Sequence, residues 1–197
     1  MRPTGRPQRS PLSTASTRGA WSAEQEADQA ANLLGALALT LADRLESALT
    51  ETTGLAENDA VALSALAQFL EGSRVDRVAQ VLGLSSSGTV RLVDRLEAAG
   101  LVRRGAGDDG RVTSVELTPA GRRRALAVTR ARAEAIERAL APLDQAERRR
   151  LGELLGRVLA GLVRPAGATR WTCRLCDLSA CGRAEGHCPV ARAAAAR

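Results

Sequence analysis

Between Val75 and Thr118 the apolar positions change period, from the three-and-four spacing of a helix to the alternation of a strand. The first run, Val75 to Leu84, predicts a helix ended by Gly83, and Ser85 stands where its hydroxyl can satisfy a free amide in the first turn of the next helix. On that second helix Thr89, Leu92, Val93 and Leu96 fall into one narrow stripe at about 100° per residue, which predicts the buried face. Ser86, Ser87, Val90, Arg91, Asp94 and Arg95 flank the stripe or point away from it, and Gly88 lets another backbone come close. Ala99 and Gly100 stop the helix. Leu101 to Arg104 then reads as a short strand, 105–110 as a glycine and aspartate turn, and Val112 to Leu117 as a second strand. Thr118 and Pro119 open a further helix, with threonine as cap and proline at the first helical position.

Long amphipathic helices flank this segment. Leu34, Leu37, Leu41 and Leu45 repeat at helical spacing before it, and Leu151, Leu154, Leu155, Val158, Leu159 and Leu162 do so after it. Leu126, Ala133, Ile136 and Leu140 continue the helix that leaves the second strand. These stripes close a monomer core or meet a partner, and because the central segment has its own stripe to bury, spare terminal faces favour a partner. The fold class expected is mainly α with a small β-wing: a winged helix-turn-helix flanked by dimerisation helices.

The outward face of the second helix suits a DNA major groove. Serine can bond to a base edge or a phosphate, the Val90 methyls can touch a thymine methyl, and Arg91 can fork onto guanine or grip a phosphate. An isolated pattern of this kind fits an amphipathic helical hairpin equally well, and the wing is what shifts the reading toward DNA. A winged helix serving as a protein-interaction module is the alternative, against which Arg91, Arg95, Arg104 and Arg111 speak.

Charge adds little. The chain has 28 basic residues, all arginine, and a net charge of +6. Four of those arginines lie in residues 1–20, which contain no acid, and six lie in 164–197 beside Asp177 and Glu185, so 21–163 carries 18 basic and 20 acidic residues. The basic ends offer at most a salt-sensitive attraction to phosphate. Residues 1–21, rich in Pro, Ser, Thr and Arg, are expected to be a disordered tail without an export signal. No apolar run approaches the roughly 18 residues that span a membrane, which leads to a cytoplasmic expectation. With one histidine and no glycine-rich nucleotide loop, neither a histidine-based triad nor a phosphate loop is visible, and no enzyme is expected.

Three motifs carry a family resemblance: the run from Leu92 to Leu96 through Gly100-Leu101-Val102-Arg103-Arg104, the Asp109-Gly110-Arg111 triplet, and Leu117-Thr118-Pro119-Ala120-Gly121. On these the segment from about 30 to 163 resembles the MarR family of bacterial transcription regulators. The resemblance implies that Arg111 enters the minor groove with Asp109 bracing it, although Gly110 stands where the family often has a basic residue. It also implies a homodimer built from the first and last helices, about 22–52 and 119–163, which would place two recognition helices about 34 Å apart on a pseudopalindromic operator. The helix-turn-helix is expected at about 74–99, the wing at about 101–117, and the whole domain over 22–163. DNA contacts are expected from Ser86, Ser87, Val90, Arg91, Arg95, Arg104, Asp109 and Arg111. The function expected is a repressor released by a small-molecule effector or by a change at the cysteines described next.

All four cysteines lie within sixteen residues of the tail, 164–197, as Cys173, Cys176, Cys181 and Cys188. A cysteine cluster in a reducing compartment is more often a metal or redox centre than a structural disulfide. The Cys173/Cys176 spacing lets two thiolates converge from one turn, which suits zinc, while Cys188-Pro189 resembles an iron–sulfur ligand pattern and free or redox-paired thiols are the third reading. His187 adjoins Cys188 and is ranked a spare. A polar tail this short has little core of its own, so a metal is expected to supply its stability.

Overall fold

The computed structural model describes residues 22–106, 113–162 and 169–196. The chain divides into two compact units, Met1–Ala38 and Leu39–Arg197. In the first, helix α1 (Ala23–Thr53) begins at Ser22, whose amide donates to Gln25 Oε1 at 2.9 Å while the Gln25 amide donates back to Ser22 Oγ at 3.2 Å. This reciprocal pairing satisfies two amides of the first turn. Leu33, Leu34 and Leu37 of this stretch are exposed.

The second unit contains the end of α1, α2 (Glu57–Ala65), a π-helical turn (Leu66–Leu70), β1 (Ser73–Arg74), α3 (Val75–Leu82), α4 (Ser86–Ala98), β2 (Val102–Ala106), β3 (Thr113–Leu117), α5 (Pro119–Leu140), α6 (Gln145–Gly161), α7 (Thr169–Thr172) and α8 (Pro189–Ala195). The strands form one antiparallel sheet in the order β1-β3-β2, with Val102 opposite Leu117, Gly105 opposite Ser114 and Ser73 opposite Val115. The core joins Leu63 and Leu66, Val78 and Val81 of α3, Leu92, Val93 and Leu96 of α4, and Val102 and Val115 of the sheet. Each such buried Val or Leu contributes about 1.5–3 kcal/mol.

Several elements differ from the sequence reading. β2 starts one residue and ends two residues later than expected, so Gly105 lies in β2 rather than in the turn, β3 ends at Leu117 as expected, and the wing tip, with Asp109, Arg111 and Val112, lies outside the described residues. The expected disordered tail, 1–21, lies outside them too. α2 and β1 have no counterpart in the pattern analysis. Asp59 to Ala65 are all buried, so α2 has no polar face to generate a helical period, and a two-residue strand is too short to show alternation. On α5 the buried face is Gly121, Ala125, Val128, Ala131 and Ala135, whereas Leu126 and Ala133, expected along the apolar stripe, are exposed.

The exit from the wing explains its glycine. Thr118 Oγ1 donates to the Gly100 carbonyl at 2.7 Å and accepts from the Gly121 amide at 3.0 Å, tying the start of α5 to the end of α4. The Leu101 carbonyl lies so near Gly121 that a β-carbon there would meet it at 1.9 Å, which only glycine avoids.

Candidate nucleic-acid interface and cysteine cluster

Gly83 takes the left-handed conformation at φ +69°, which turns the chain from α3 into α4 within three residues, Gly83 to Ser85. Ser85 caps α4 by accepting the Gly88 amide at 3.1 Å. Thr89, Leu92, Val93 and Leu96 are buried as expected, and this rotation of the helix leaves Ser86, Ser87, Val90, Arg91, Asp94 and Arg95 exposed.

The outward arginines do not stand alike. Arg91 has no side-chain hydrogen-bond or ion-pair partner among the described residues. Arg95 is engaged inside the protein: its Nη2 donates to Asp59 Oδ1 at 2.7 Å and its Nε to Oδ2 at 3.4 Å, and the Asp59 hydrogen bond holds its guanidinium above the ordinary arginine value. Arg104 is engaged as well. It pairs with Asp94 at 2.5 Å and with Glu97, and its amide donates to Glu97 Oε1 at 3.1 Å, which braces β2 against α4. Arg95 and Arg104, both expected to contact DNA, have guanidiniums that also hold the helix to α2 and the wing to the helix. Asp59, the buried acceptor, has no signal in the pattern because its partner is 36 residues away.

The four cysteines come together. Cys173 and Cys188 are 2% and 1% exposed, and with Val190 they form one cluster against which Cys176, Cys181 and the alanines of α8 pack. Cys173 and Cys176 share a hydrogen bond, and so do Cys181 and Cys188. The first pair ionises at Cys176, which falls to about 6: the bond from Cys173 favours its thiolate, burial opposes it, and the charges of Arg132, Arg183 and Arg174 add to the fall. Cys173 is correspondingly pushed up. Burial and the bond to Cys188 raise Cys181 to about 11. His187 is exposed. Among the described residues no three His, Cys, Asp or Glu side chains already converge as a ready ligand set.

The cysteine segment is docked, not free-standing. The Trp171 indole lies against the helix-turn-helix, so that a β-carbon on Gly83 would meet Nε1 at 2.9 Å. The Arg170 guanidinium sits 4.5 Å above the Phe69 ring, and the Leu178 amide donates to Gln68 Oε1 at 3.1 Å. At the other end Pro189 of α8 rests against Gly156 of α6. Trp171 had no role in the sequence reading. Its one signal there is that a bulky ring stands two residues before Cys173 in a chain with three aromatic residues.

A family model described as MarR family matches residues 53–112. Among solved structures, a MarR family protein from Bacillus stearothermophilus is 24% identical, with a TM-score of 0.63 over 72% of this chain and 99% of that one. A MarR-family transcriptional regulator from Rhodococcus sp. RHA1 is 26% identical, with a TM-score of 0.54 over 67% and 93%. CouR from Rhodococcus jostii RHA1, solved with p-coumaroyl-CoA bound, gives the same identity and TM-score over 67% and 92%. No curated protein matches. The matched segment spans α2, the turn and both helices of the helix-turn-helix, and the first wing strand. Residues 53–112 therefore match the MarR family, in a chain with the winged helix-turn-helix fold of these similar structures.

Proposed function

We propose that this chain is a homodimeric, sequence-specific DNA-binding regulator, a repressor that lays α4 in the major groove of a pseudopalindromic operator. The observation that carries this is Arg91. Beside Arg95 and Arg104, which are tied to carboxylates, it stands exposed and, among the described residues, unpaired next to Ser86, Ser87 and Val90, which are the residue types that read base edges. Asp109 and Arg111 take the wing contact by the family resemblance.

The dimer is supported by apolar surface that the single chain leaves uncovered. No residue of α6 is buried, and Leu154, Leu155, Val158, Leu159 and Leu162 are 38–68% exposed. Leu33, Leu34 and Leu37 of α1 are exposed likewise. A row of this length is what an obligate partner covers. A small-molecule effector is part of this reading, since CouR was solved with p-coumaroyl-CoA bound and this chain has a groove of about 350 Å³ between Asp43, Arg44, Ser47, Glu51 and Arg138.

The test is selection of random-sequence duplexes on the full chain. Enrichment of a motif with two-fold symmetry, with half-sites about one helical turn apart, is the expected result. A selection that enriches no motif rejects DNA reading.

A further inference from the structure

Residues 169–196 bury little apart from sulfur. Their cluster is Cys173, Cys188 and Val190, edged by Cys176, Cys181 and three alanines, and the segment has one four-residue and one seven-residue helix. Beyond the contacts that dock it, such a piece has little apolar surface of its own, and an ion would add to what holds it. Its surroundings are cationic. Arg132, Arg174 and Arg183 put positive charge at Cys176, Arg183 Nη1 reaches Cys173 Sγ at 3.9 Å, and Arg170, which burial and the neighbouring Arg183 hold below the ordinary arginine value, has a buried Nη1 with no hydrogen-bond partner among the described residues. Four thiolates around a divalent ion leave a net charge of −2, and an arginine shell with one orphaned N–H is the complement of that charge.

We propose that Cys173, Cys176, Cys181 and Cys188 bind one thiophilic divalent ion of the zinc class, and that its binding sets operator affinity through Trp171. The second half rests on the DNA-reading function proposed above. As four sulfur–metal bonds form, binding releases to solvent only the protons of those thiols still protonated, Cys176 being already a thiolate at neutral pH, and draws the two pairs into one set at about 2.3 Å from the ion. Cys173 follows Trp171 by two residues, and the Trp171 indole rests on Gly83, the left-handed residue that sets the angle between α3 and α4. The bond from Leu178 to Gln68 and the stacking of Arg170 on Phe69 fix the segment beside the same helices. A movement of Cys173 therefore reaches the turn of the reading head through one rigid side chain.

The experiment uses the full chain with Trp21→Phe, leaving Trp171 as the reporting indole, reduced and stripped of metal, with zinc as the probe. Expected are about one zinc per chain, protection of all four thiols from alkylation, a shift of Trp171 emission along the same titration, and a change in affinity for the selected operator on the order of tenfold. Cys176→Ser with Cys181→Ser should abolish all four responses. Trp171→Phe, which keeps a ring over Gly83, and Trp171→Ala should retain zinc and thiol protection while reducing and then removing the affinity response. Thiols that alkylate freely in excess zinc overturn the site, and a brown protein containing iron and sulfide overturns the choice of ion. Zinc binding that leaves operator affinity unchanged overturns the coupling. Absence of any selected operator, with or without zinc, is instead a failure of DNA reading, and the emission and alkylation measurements still decide the site.

Discussion

Arg95 holds Asp59 at two points, Nη2 to Oδ1 and Nε to Oδ2, and so pins the recognition helix to α2 across 36 residues of sequence. The carboxylate side chain is 11% exposed and the guanidinium 56%, so water screens one partner and hardly reaches the other. Removing Arg95 strands a nearly buried charge, whereas removing Asp59 frees an exposed one.

Arg95→Ala is therefore expected to lower stability by about 1–3 kcal/mol, from the unpaired carboxylate, and to weaken DNA binding mainly through that loss. Asp59→Ala combined with Arg95→Ala should cost less than the sum of the single changes. Urea denaturation of the three variants measures this, and strict additivity would show that the bridge contributes nothing.

Arg91→Ala should behave in the opposite manner, leaving the denaturation midpoint unchanged and costing about 1–3 kcal/mol in operator affinity. The loss should be greatest for the base pair that Arg91 reads, so binding to duplexes altered one position at a time is the measurement. Equal weakening across all sequences would reassign Arg91 to a phosphate.

Gly121→Ala places a β-carbon 1.9 Å from the Leu101 carbonyl. The start of α5 must move, and the Thr118 bonds to Gly100 and Gly121 move with it. The cost expected is at the upper end of the roughly 1–3 kcal/mol of an overpacked site, read as a lowered midpoint in thermal denaturation. An unchanged midpoint would mean that the exit from the wing is looser than its hydrogen bonds imply.

Leu155→Glu or Leu159→Glu should convert the proposed dimer to monomer, because each places a charge on the apolar row of α6 that the single chain leaves exposed. These residues are not buried within one chain, so the monomer should keep its helical circular dichroism while its mass by light scattering halves. A folded monomer for the unaltered chain would reject the assembly.

The caps at Ser85 and Thr118, the left-handed Gly83, the buried stripe on α4 and the paired wing strands all follow from the sequence by itself, because a capping bond or a helical period acts over two to four neighbours and leaves its mark in the order of residues. Only the tertiary structure decided which cations are spent. Arg95 looks as exposed on a helical wheel as Arg91, the strand pattern gives no partner for Arg104, and what separates them from Arg91 is the position of Asp59, Asp94 and Glu97 in space. It decided α2 as well, a helix buried on every side and so without a period, and the seat of Trp171 on Gly83, a contact between residues far apart in the chain. Such contacts form where packing closes a surface, and packing depends on the shape of both partners, which no local spacing encodes.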